Sequence, residues 1–278
     1  MSKIDLASPV VKWVGGKRQL LDRLMPLFPE TYTSYCEPFI GGGAVLFALQ
    51  PQKAIINDIN SELIGVYQAI KDDVEALIKR LAQFENTKEC FYEVRGWHRN
   101  AEIYNQLTDI DKAARVIFLN KTCYNGLYRV NSAGEFNTPF GRYKNPNIVN
   151  ENTLRAVNEY FNTADVTILN TSYYEAVQDL PENSFVYLDP PYDPISVTAS
   201  FTGYNAGGFG RQDQIALRDC CHQLDAAGIK FMLSNSATEF IQDIYSDFNI
   251  TIVPAKRAIN SVGSKRGCVD EVVVRNYV

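Results

Sequence analysis

The segment Asp189-Pro190-Pro191-Tyr192 carries the residue types best suited to chemistry in this 278-residue chain. Two successive prolines stiffen the turn and remove two backbone donors, so the nearby oxygen atoms become fixed hydrogen-bond acceptors. These groups match an exocyclic amine on a planar base, with Asp189 and the Pro190 carbonyl accepting its N–H groups and Tyr192 stacked on the ring. The alternative is a simple turn that ends a strand.

A second motif, residues 37–43, joins a short apolar run to a helical pattern through three successive glycines. Glycine lets a ligand approach the backbone closely, which makes Gly41 and Gly43 candidates for cofactor contact; a purely structural turn is the alternative. Asp58 ends the next apolar run, 17 residues after Gly41, where its carboxylate is placed to hold ribose hydroxyls. The two features support each other as parts of one cofactor pocket.

Residues 12–17, Lys-Trp-Val-Gly-Gly-Lys, precede the first predicted helix. Their glycine spacing differs from that of a nucleotide-binding P-loop, and Arg18 stands where Ser or Thr is required. Trp13 is either a core residue or an aromatic wall of a cofactor pocket. The two histidines and six scattered cysteines lack metal-ligand and C-x-x-C spacing, which argues against metal-dependent hydrolysis and Ser-His-Asp catalysis.

Short apolar runs alternate with helical patterns along much of the chain, and several runs are continuously apolar, as in strands covered on both faces. This alternation predicts a doubly wound α/β sheet. The predicted strands are 34–37, 54–57, 166–170, 185–188, 229–234, 250–254 and 269–275. The predicted helices are 17–28, 44–49, 61–84, 150–161, 211–227 and 237–248.

The stretch 61–147 interrupts this alternation with helical periodicity, a second helical pattern at 109–121 and a polar, aromatic loop without a convincing strand. Between Lys112 and Lys144 there are six basic residues and one acid, a local charge of +5 in a chain whose net charge is −5. A solvated surface is the alternative explanation for such a cluster. We predict a mainly helical inserted domain at 61–147 within a catalytic domain made of 1–60 and 148–278.

Five ordered motifs resemble the DNA adenine methyltransferase (Dam) family. They are Lys-Trp-x-Gly-Gly-Lys at 12–17, Glu-Pro-Phe-x-Gly-Gly-Gly at 37–43, Asn-Asp-Ile-Asn at 57–60, Asn-Gly-Leu-Tyr-Arg at 125–129 with Phe-Asn-x-Pro-Phe-Gly-Arg-Tyr-Lys at 136–144, and Asp-Pro-Pro-Tyr at 189–192. The match extends from Lys12 to Asn276, although Tyr128, Val130 and the triple glycine depart from the common bacterial pattern. The resemblance implies a Rossmann-like, seven-stranded methyltransferase sheet with an inserted DNA-recognition domain.

The same resemblance assigns roles to individual residues. The residues that hold the target adenine are implied to be Asp189, Pro190, Pro191 and Tyr192. Contacts to S-adenosylmethionine are implied for Trp13, Lys17, Phe39, Asp58 and Asp189, in addition to the glycines Gly41 and Gly43. DNA contacts or intercalation are implied for Lys12, Tyr124, Asn125, Leu127, Arg129, Pro139, Arg142 and Tyr143. No metal ion is expected.

The implied reaction transfers a methyl group from S-adenosylmethionine to N6 of adenine within GATC, leaving S-adenosylhomocysteine. Because N6 is stacked and paired inside duplex DNA, the adenine must first rotate out of the helix. We expect a monomer in the cytoplasm of a bacterial or phage-infected cell, with no membrane association; a cognate restriction endonuclease acting at the same site is one partner to consider. The segments 196–210 and 260–267 are expected to be mobile without DNA.

Two other functions stay open at this point. RNA adenine or a protein glutamine amide also presents a planar amine to such acceptors, although glutamine methylation usually accompanies Asn rather than Asp at position 189. A DNA-binding module that has lost catalysis is the other alternative, and the presence of Asp58, Asp189 and Tyr192 argues against it.

Overall fold

The computed structural model describes residues 3–195, 208–256 and 268–278. Both segments predicted to be mobile lie outside these ranges, except for residues 208–210. Within the ranges, seven strands form one mixed sheet. They are β1 (Tyr35–Glu37), β2 (Lys53–Asn57), β3 (Asp165–Leu169), β4 (Phe185–Leu188), β5 (Lys230–Ser236), β6 (Asn249–Lys256) and β7 (Cys268–Arg275).

The strand order is β3-β2-β1-β4-β5-β7-β6. Strands β1 to β5 run parallel, and β7 runs antiparallel to both β5 and β6. Crossover helices cover both faces of parallel strands, and β4 is accordingly buried along its whole length. The order reverses between β1 and β4, and sheets of this kind bind ligands outside the carboxyl ends of the strands at such a point. The predicted doubly wound α/β sheet is confirmed.

Helices surround the sheet and form most of the stretch 61–147. They are α1 (Leu21–Leu24), α2 (Ala44–Leu49), α3 (Ser61–Asp72), α4 (Val74–Leu81), α5 (Lys88–Gly96), α6 (Ala101–Gln106), α7 (Asp109–Thr122), α8 (Glu151–Thr163), α9 (Tyr173–Ala176), α10 (Arg211–Ala226) and α11 (Glu239–Ile244). Helix α3 contacts α8 and β3, which lie outside the stretch 61–147, as well as α7 within it. The boundary of the inserted domain therefore stays a prediction. Among the described helices, none combines the length and apolar character needed to cross a membrane.

Two predicted helices are interrupted in the structure. The pattern at 61–84 is divided between α3 and α4 because Asp73 leaves the helical conformation, with φ at −152°, and its side chain accepts the Ala76 N–H at the start of α4. The pattern at 17–28 contains only the short α1 between two 3₁₀ turns. Pro26 has no backbone N–H to continue an α-helix there.

Other helical predictions differ in length or were missing. Helix α11 is shorter than the predicted 237–248 and begins after Thr238, whose side chain caps its N-terminus by accepting the Ile241 N–H. Helices α5 and α6 were not predicted, since each is short and α6 contains no buried residue. The loop 124–146 and the residue before it form two isolated bridges, Cys123 to Phe140 and Val130 to Phe136, rather than regular strands.

One large hydrophobic cluster joins the sheet to the inserted stretch. Phe47 of α2 and Tyr67 of α3 both pack on Phe161 of α8, with ring centroids 6.1 and 6.0 Å apart. Phe118 of α7 belongs to the same cluster. A second cluster lies between β4, β5 and α10 and includes Phe231. The inserted stretch therefore shares apolar contacts with the sheet that carries the strand ends.

A buried ion pair ties α3 to α7. Arg115 Nη1 lies 2.8 Å from Glu62 Oε1, and the two side chains are 0% and 11% exposed. Hydroxyls of Tyr104 and Tyr128 also donate to the Glu62 carboxylate. Burial raises the pKa of Glu62, but the Arg115 guanidinium, His98 and the hydrogen bond from Tyr104 together outweigh it and hold that pKa below its ordinary value.

We expect Glu62→Ala to lower the free energy of unfolding by about 3 to 5 kcal/mol, because it leaves the Arg115 cation buried without its carboxylate. Urea denaturation of both proteins measures this change. The control is Arg155→Ala, which removes the ion pairs of Arg155 with Glu75 and Glu151, and which we expect to cost much less, because solvent screens ion pairs between exposed side chains. Equal losses in the two variants would contradict the assignment.

Candidate active site

A buried ion pair lies at the carboxyl end of β4. Asp189 directly follows this strand, and its Oδ1 lies 2.7 Å from Lys17 Nζ. The Lys17 side chain is 4% exposed and that of Asp189 is 19% exposed. Lys17 Nζ also donates to the Gly15 carbonyl at 2.8 Å and lies 4.7 Å from the centroid of the Tyr192 ring. The fold thus brings two of the predicted motifs into direct contact.

Burial raises the pKa of Asp189 to about 6, against the opposing effect of Lys17. The Asp189 carboxyl is therefore largely ionised at neutral pH and available as an acceptor. A second acid, Glu37 at the end of β1, is buried and accepts the Tyr35 hydroxyl at 2.7 Å. Burial, together with the nearby Asp189 charge, raises the pKa of Glu37 well above its usual range.

The loop after β4 is fixed by hydrogen bonds to three neighbouring elements. The Tyr192 hydroxyl donates to Glu271 Oε2 of β7 at 2.7 Å. Gln214 of α10 donates to the Pro191 carbonyl at 2.8 Å, and the Asp193 N–H donates to Asn235 of β5 at 3.1 Å. These contacts orient the ring and the carbonyls that follow Asp189, so the acceptors are held in place before any ligand binds.

Asp58 and the glycine turn meet beside β1 and β2. The Gly41 N–H donates to Asp58 Oδ2 at 3.1 Å, and the Tyr67 hydroxyl donates to the Gly41 carbonyl at 2.7 Å. Burial raises the pKa of Asp58, although backbone N–H donors oppose the effect. A Cβ atom on Gly41, whose φ is +48°, would lie 3.1 Å from Trp13 Cδ1. Trp13 therefore lies against the glycine turn and also packs against the hydrophobic core, so its role as a wall of the cofactor pocket stays a prediction.

Two other predicted cofactor residues lie apart from Trp13. The Phe39 ring stacks on Tyr173 with centroids 5.3 Å apart and meets Phe209 edge to face. Gly43, with φ at +71°, precedes α2, and a Cβ there would lie 2.8 Å from the Phe47 ring. The positive φ and the contact with Phe47 thus explain why glycine occupies position 43. Its role in cofactor binding stays a prediction.

The residues predicted to contact DNA lie on one exposed surface around the end of α7. Tyr124 is 57% exposed, and Arg129, whose Nε donates to Asn137 Oδ1 at 2.8 Å, is also exposed. Lys12 joins this surface, since its Nζ donates to the Asn125 carbonyl at 2.6 Å. Also exposed are Pro139, Arg142 and Tyr143, whereas Leu127 is half-buried.

An open cleft of about 400 Å³ runs along this surface. Its lining includes Lys12, Lys121, Tyr143 and Lys144. Asn120, at the end of α7, joins both sides of the cleft, because its side chain pairs with the Lys12 backbone N–H and carbonyl, each at 2.8 Å. Of the six basic residues between Lys112 and Lys144, Lys121 and Lys144 line this cleft, whereas Arg115 is buried against Glu62.

Comparison with known proteins identifies the family. Residues 13–259 match the family model described as D12 class N6 adenine-specific DNA methyltransferase. The chain belongs to this family. A type II methyltransferase of Lactococcus lactis subsp. cremoris is 45% identical over 278 residues, covering 99% of this chain and 97% of that protein. A type II methyltransferase of Methanocaldococcus jannaschii is 42% identical over 290 residues, covering 97% and 99%. A DNA adenine methylase of Serratia marcescens is 34% identical over 269 residues, covering 95% and 96%.

Family membership supports an enzyme that methylates N6 of adenine in DNA and confirms the resemblance drawn from the motifs. It favours DNA adenine over RNA adenine and over a glutamine amide, and it favours an enzyme over a catalytically inactive binding module. Membership also implies S-adenosylmethionine as the methyl donor. Among the described residues, no group of three or more His, Cys, Asp or Glu side chains is arranged to hold a metal ion.

Sequence reasoning missed several residues that complete the site. Glu271 is distant in the chain and lies in an apolar run, so only strand pairing reveals its contact with Tyr192. Tyr173 follows β3, as Asp58 follows β2, and the rule of strand ends could have indicated it. Asn120 belongs to a helical pattern and carries no recognisable motif. Glu37 lay inside the quoted glycine motif without being assigned a role.

We expect Lys17→Met to raise the pKa of Asp189 above about 6, because an adjacent cation favours the charged form of a carboxyl group. Carboxyl ¹³C chemical shifts of protein labelled at aspartate measure the titration. Lys12→Met, which removes an exposed lysine, serves as the control and leaves the Asp189 titration unchanged. An Asp189 pKa that stays the same or falls in Lys17→Met would refute the ion pair.

Proposed function

We propose that this enzyme transfers a methyl group from S-adenosylmethionine to N6 of the adenine in GATC, after that adenine has rotated out of duplex DNA. The observation that carries the proposal is the contact of Lys17, Asp189 and Tyr192 at the end of β4. The GATC specificity rests on the motifs shared with the Dam family, and the DNA adenine methylases among the relatives support it.

The acceptors beside Tyr192 suit the amino group of adenine. The N6 lone pair is delocalised into the ring, which makes the nitrogen a poor nucleophile. Hydrogen bonds from N6 to the Asp189 carboxylate and the Pro190 carbonyl favour a pyramidal nitrogen and expose its lone pair. Tyr192, held by Glu271, offers its ring for stacking, worth about 1 to 3 kcal/mol against the cost of rotating the base out.

The residues near Trp13 fit S-adenosylmethionine. Each Asp58 oxygen accepts one backbone N–H, from Gly41 or Asn60, and a carboxylate has about four acceptor positions, so capacity remains for ribose hydroxyls. Trp13 and Phe39 supply aromatic walls, and Gly41 lets the Trp13 indole lie close to the glycine turn. The bound cofactor supplies an electrophilic methyl group on a sulfonium. This chain holds and orients both reactants, which lowers the barrier by about 7 to 11 kcal/mol relative to free encounter.

The exposed cations around the cleft bind the DNA backbone, and Arg129 and Lys12 read guanine edges in the major groove. Tyr124 is exposed on the same surface and fills the space that the rotated adenine leaves. We place the reaction in the cytoplasm of a bacterial or phage-infected cell, with a monomer as the acting form. The type II names of two relatives support a cognate restriction endonuclease at the same site.

A protection assay tests the proposed sequence. DNA from cells that express this chain should resist a nuclease that cuts only unmodified GATC. Tritiated methyl transfer to GATC duplexes and to scrambled duplexes then gives the rate and the specificity in vitro. Methylation of adenine at a different sequence would refute GATC while leaving the family assignment intact.

We expect Asp189→Asn to lower kcat by about 10² to 10⁴-fold, because an amide cannot take up the proton that N6 releases when its bond to the methyl group forms and the S–C bond of the cofactor breaks. Asn is preferred to Ala because it keeps the size of the side chain and an oxygen that can accept a hydrogen bond from Lys17, although it removes the negative charge. Single-turnover methyl transfer measures the rate, and thermal unfolding checks the fold. Asp247→Asn, on an exposed side chain, is the control. A kcat near that of the unmodified enzyme would exclude Asp189 from catalysis.

Arg129→Ala should relax sequence discrimination by about 1 to 3 kcal/mol, the contribution of one bidentate contact to guanine. The ratio of kcat/KM for GATC and singly altered duplexes measures this. Lys144→Ala is the matched control, because a phosphate contact weakens binding to all duplexes alike and decreases the salt dependence. Unchanged discrimination in Arg129→Ala would count against its role.

A further inference from the structure

Tyr128 connects the loop predicted to read DNA with the pocket predicted to bind the cofactor. It lies between Leu127 and Arg129 in the chain, yet it is only 5% exposed. Its ring stacks on Trp13, with centroids 4.5 Å apart and planes inclined by 26°. On its other side it meets Phe136 at 5.6 Å in an edge arrangement. The tyrosine therefore points inward between neighbours on the recognition loop.

The Tyr128 hydroxyl is anchored by a charged group. It donates to Glu62 Oε2 at 3.0 Å, and Glu62 is held in turn by Arg115 and Tyr104. Arg115 is completely buried, so this anchor belongs to the folded core rather than to the surface. The Tyr128 ring thus has a fixed position that does not depend on the exposed part of its own loop.

The Trp13 indole is enclosed from two directions. Tyr128 covers one side, and the glycine turn approaches from another, since a Cβ atom on Gly41 or Gly42 would lie 3.1 or 3.3 Å from Trp13 atoms. A Cβ atom at either position would require Trp13 to shift by a few tenths of an ångström. The orientation of Trp13 is therefore set by the glycine turn and by Tyr128 together.

We propose that Tyr128 is a positioning residue for cofactor binding, which acts by fixing the Trp13 indole and is itself fixed by Glu62. The inference rests on the proposed function, in which Trp13 lines the S-adenosylmethionine pocket. Because Tyr128 precedes Arg129 directly, the same residue also sets where the predicted guanine-reading side chain leaves the core.

The test measures binding of S-adenosylhomocysteine by titration calorimetry. Tyr128→Leu should weaken binding about three- to tenfold, the size of one lost aromatic pair, and raise the KM for S-adenosylmethionine more than it lowers kcat. Tyr128→Phe keeps the ring but loses the hydrogen bond to Glu62, so it should weaken binding, though less than Tyr128→Leu does. If Tyr128→Leu does not fold, Tyr128→Met replaces it, since methionine fills irregular space.

Phe118→Leu is the matched control, because it removes a buried aromatic ring from the same core cluster without a ring contact to Trp13. It should lower stability while leaving the affinity for S-adenosylhomocysteine unchanged. Unchanged affinity in Tyr128→Leu, or equal weakening in Phe118→Leu, would overturn the proposal.

A double-mutant cycle separates this inference from the proposed function. Trp13→Leu should itself weaken binding, and adding Tyr128→Leu to it should have little further effect. Additive losses would overturn the positioning role of Tyr128. If Trp13→Leu binds S-adenosylhomocysteine as tightly as the unmodified protein, the cofactor role of Trp13 fails, and this inference fails with it. If Trp13→Leu binds weakly but Tyr128→Leu binds normally, only the inference fails.

Discussion

The site depends on one buried ion pair between Lys17 and Asp189. A lysine that is almost fully buried is costly unless a carboxylate lies beside it, and Asp189 can remain charged against its own burial only with that cation nearby. The pair therefore joins the segment 12–17 to the carboxyl end of β4, where the Asp-Pro-Pro-Tyr motif begins. It also leaves the Asp189 carboxyl ionised near neutral pH, as an acceptor for an amino group must be.

The segment 12–17 is the place where the parts of the enzyme meet. Lys12 is clamped by Asn120 and reaches the recognition loop, Trp13 lies between the glycine turn and Tyr128, and Lys17 reaches Asp189. Six consecutive residues thus contact the elements proposed to bind DNA, cofactor and target base.

The sheet explains why motifs far apart in the chain converge. Strands β1, β2 and β4 run parallel, so the residues that follow them all emerge at one edge. Glu37, Asp58 and Asp189 each end or follow one of these strands. The antiparallel β7 then adds Glu271 from the far end of the chain, where it accepts the Tyr192 hydroxyl. The inserted stretch shares the large core with these strands.

The sequence by itself determined the fold class, the strands and the chemistry of the main motifs, because continuous apolar runs, glycine turns and Asp-Pro-Pro-Tyr are local patterns. It did not determine where helices break: Asp73 and Pro26 act through local hydrogen bonding that periodicity does not register. Only the tertiary structure decided that Lys17 pairs with Asp189, Tyr192 with Glu271 and Tyr128 with Trp13. These partners lie far apart in the chain, and their contacts exist only because strand order and shared burial bring them together.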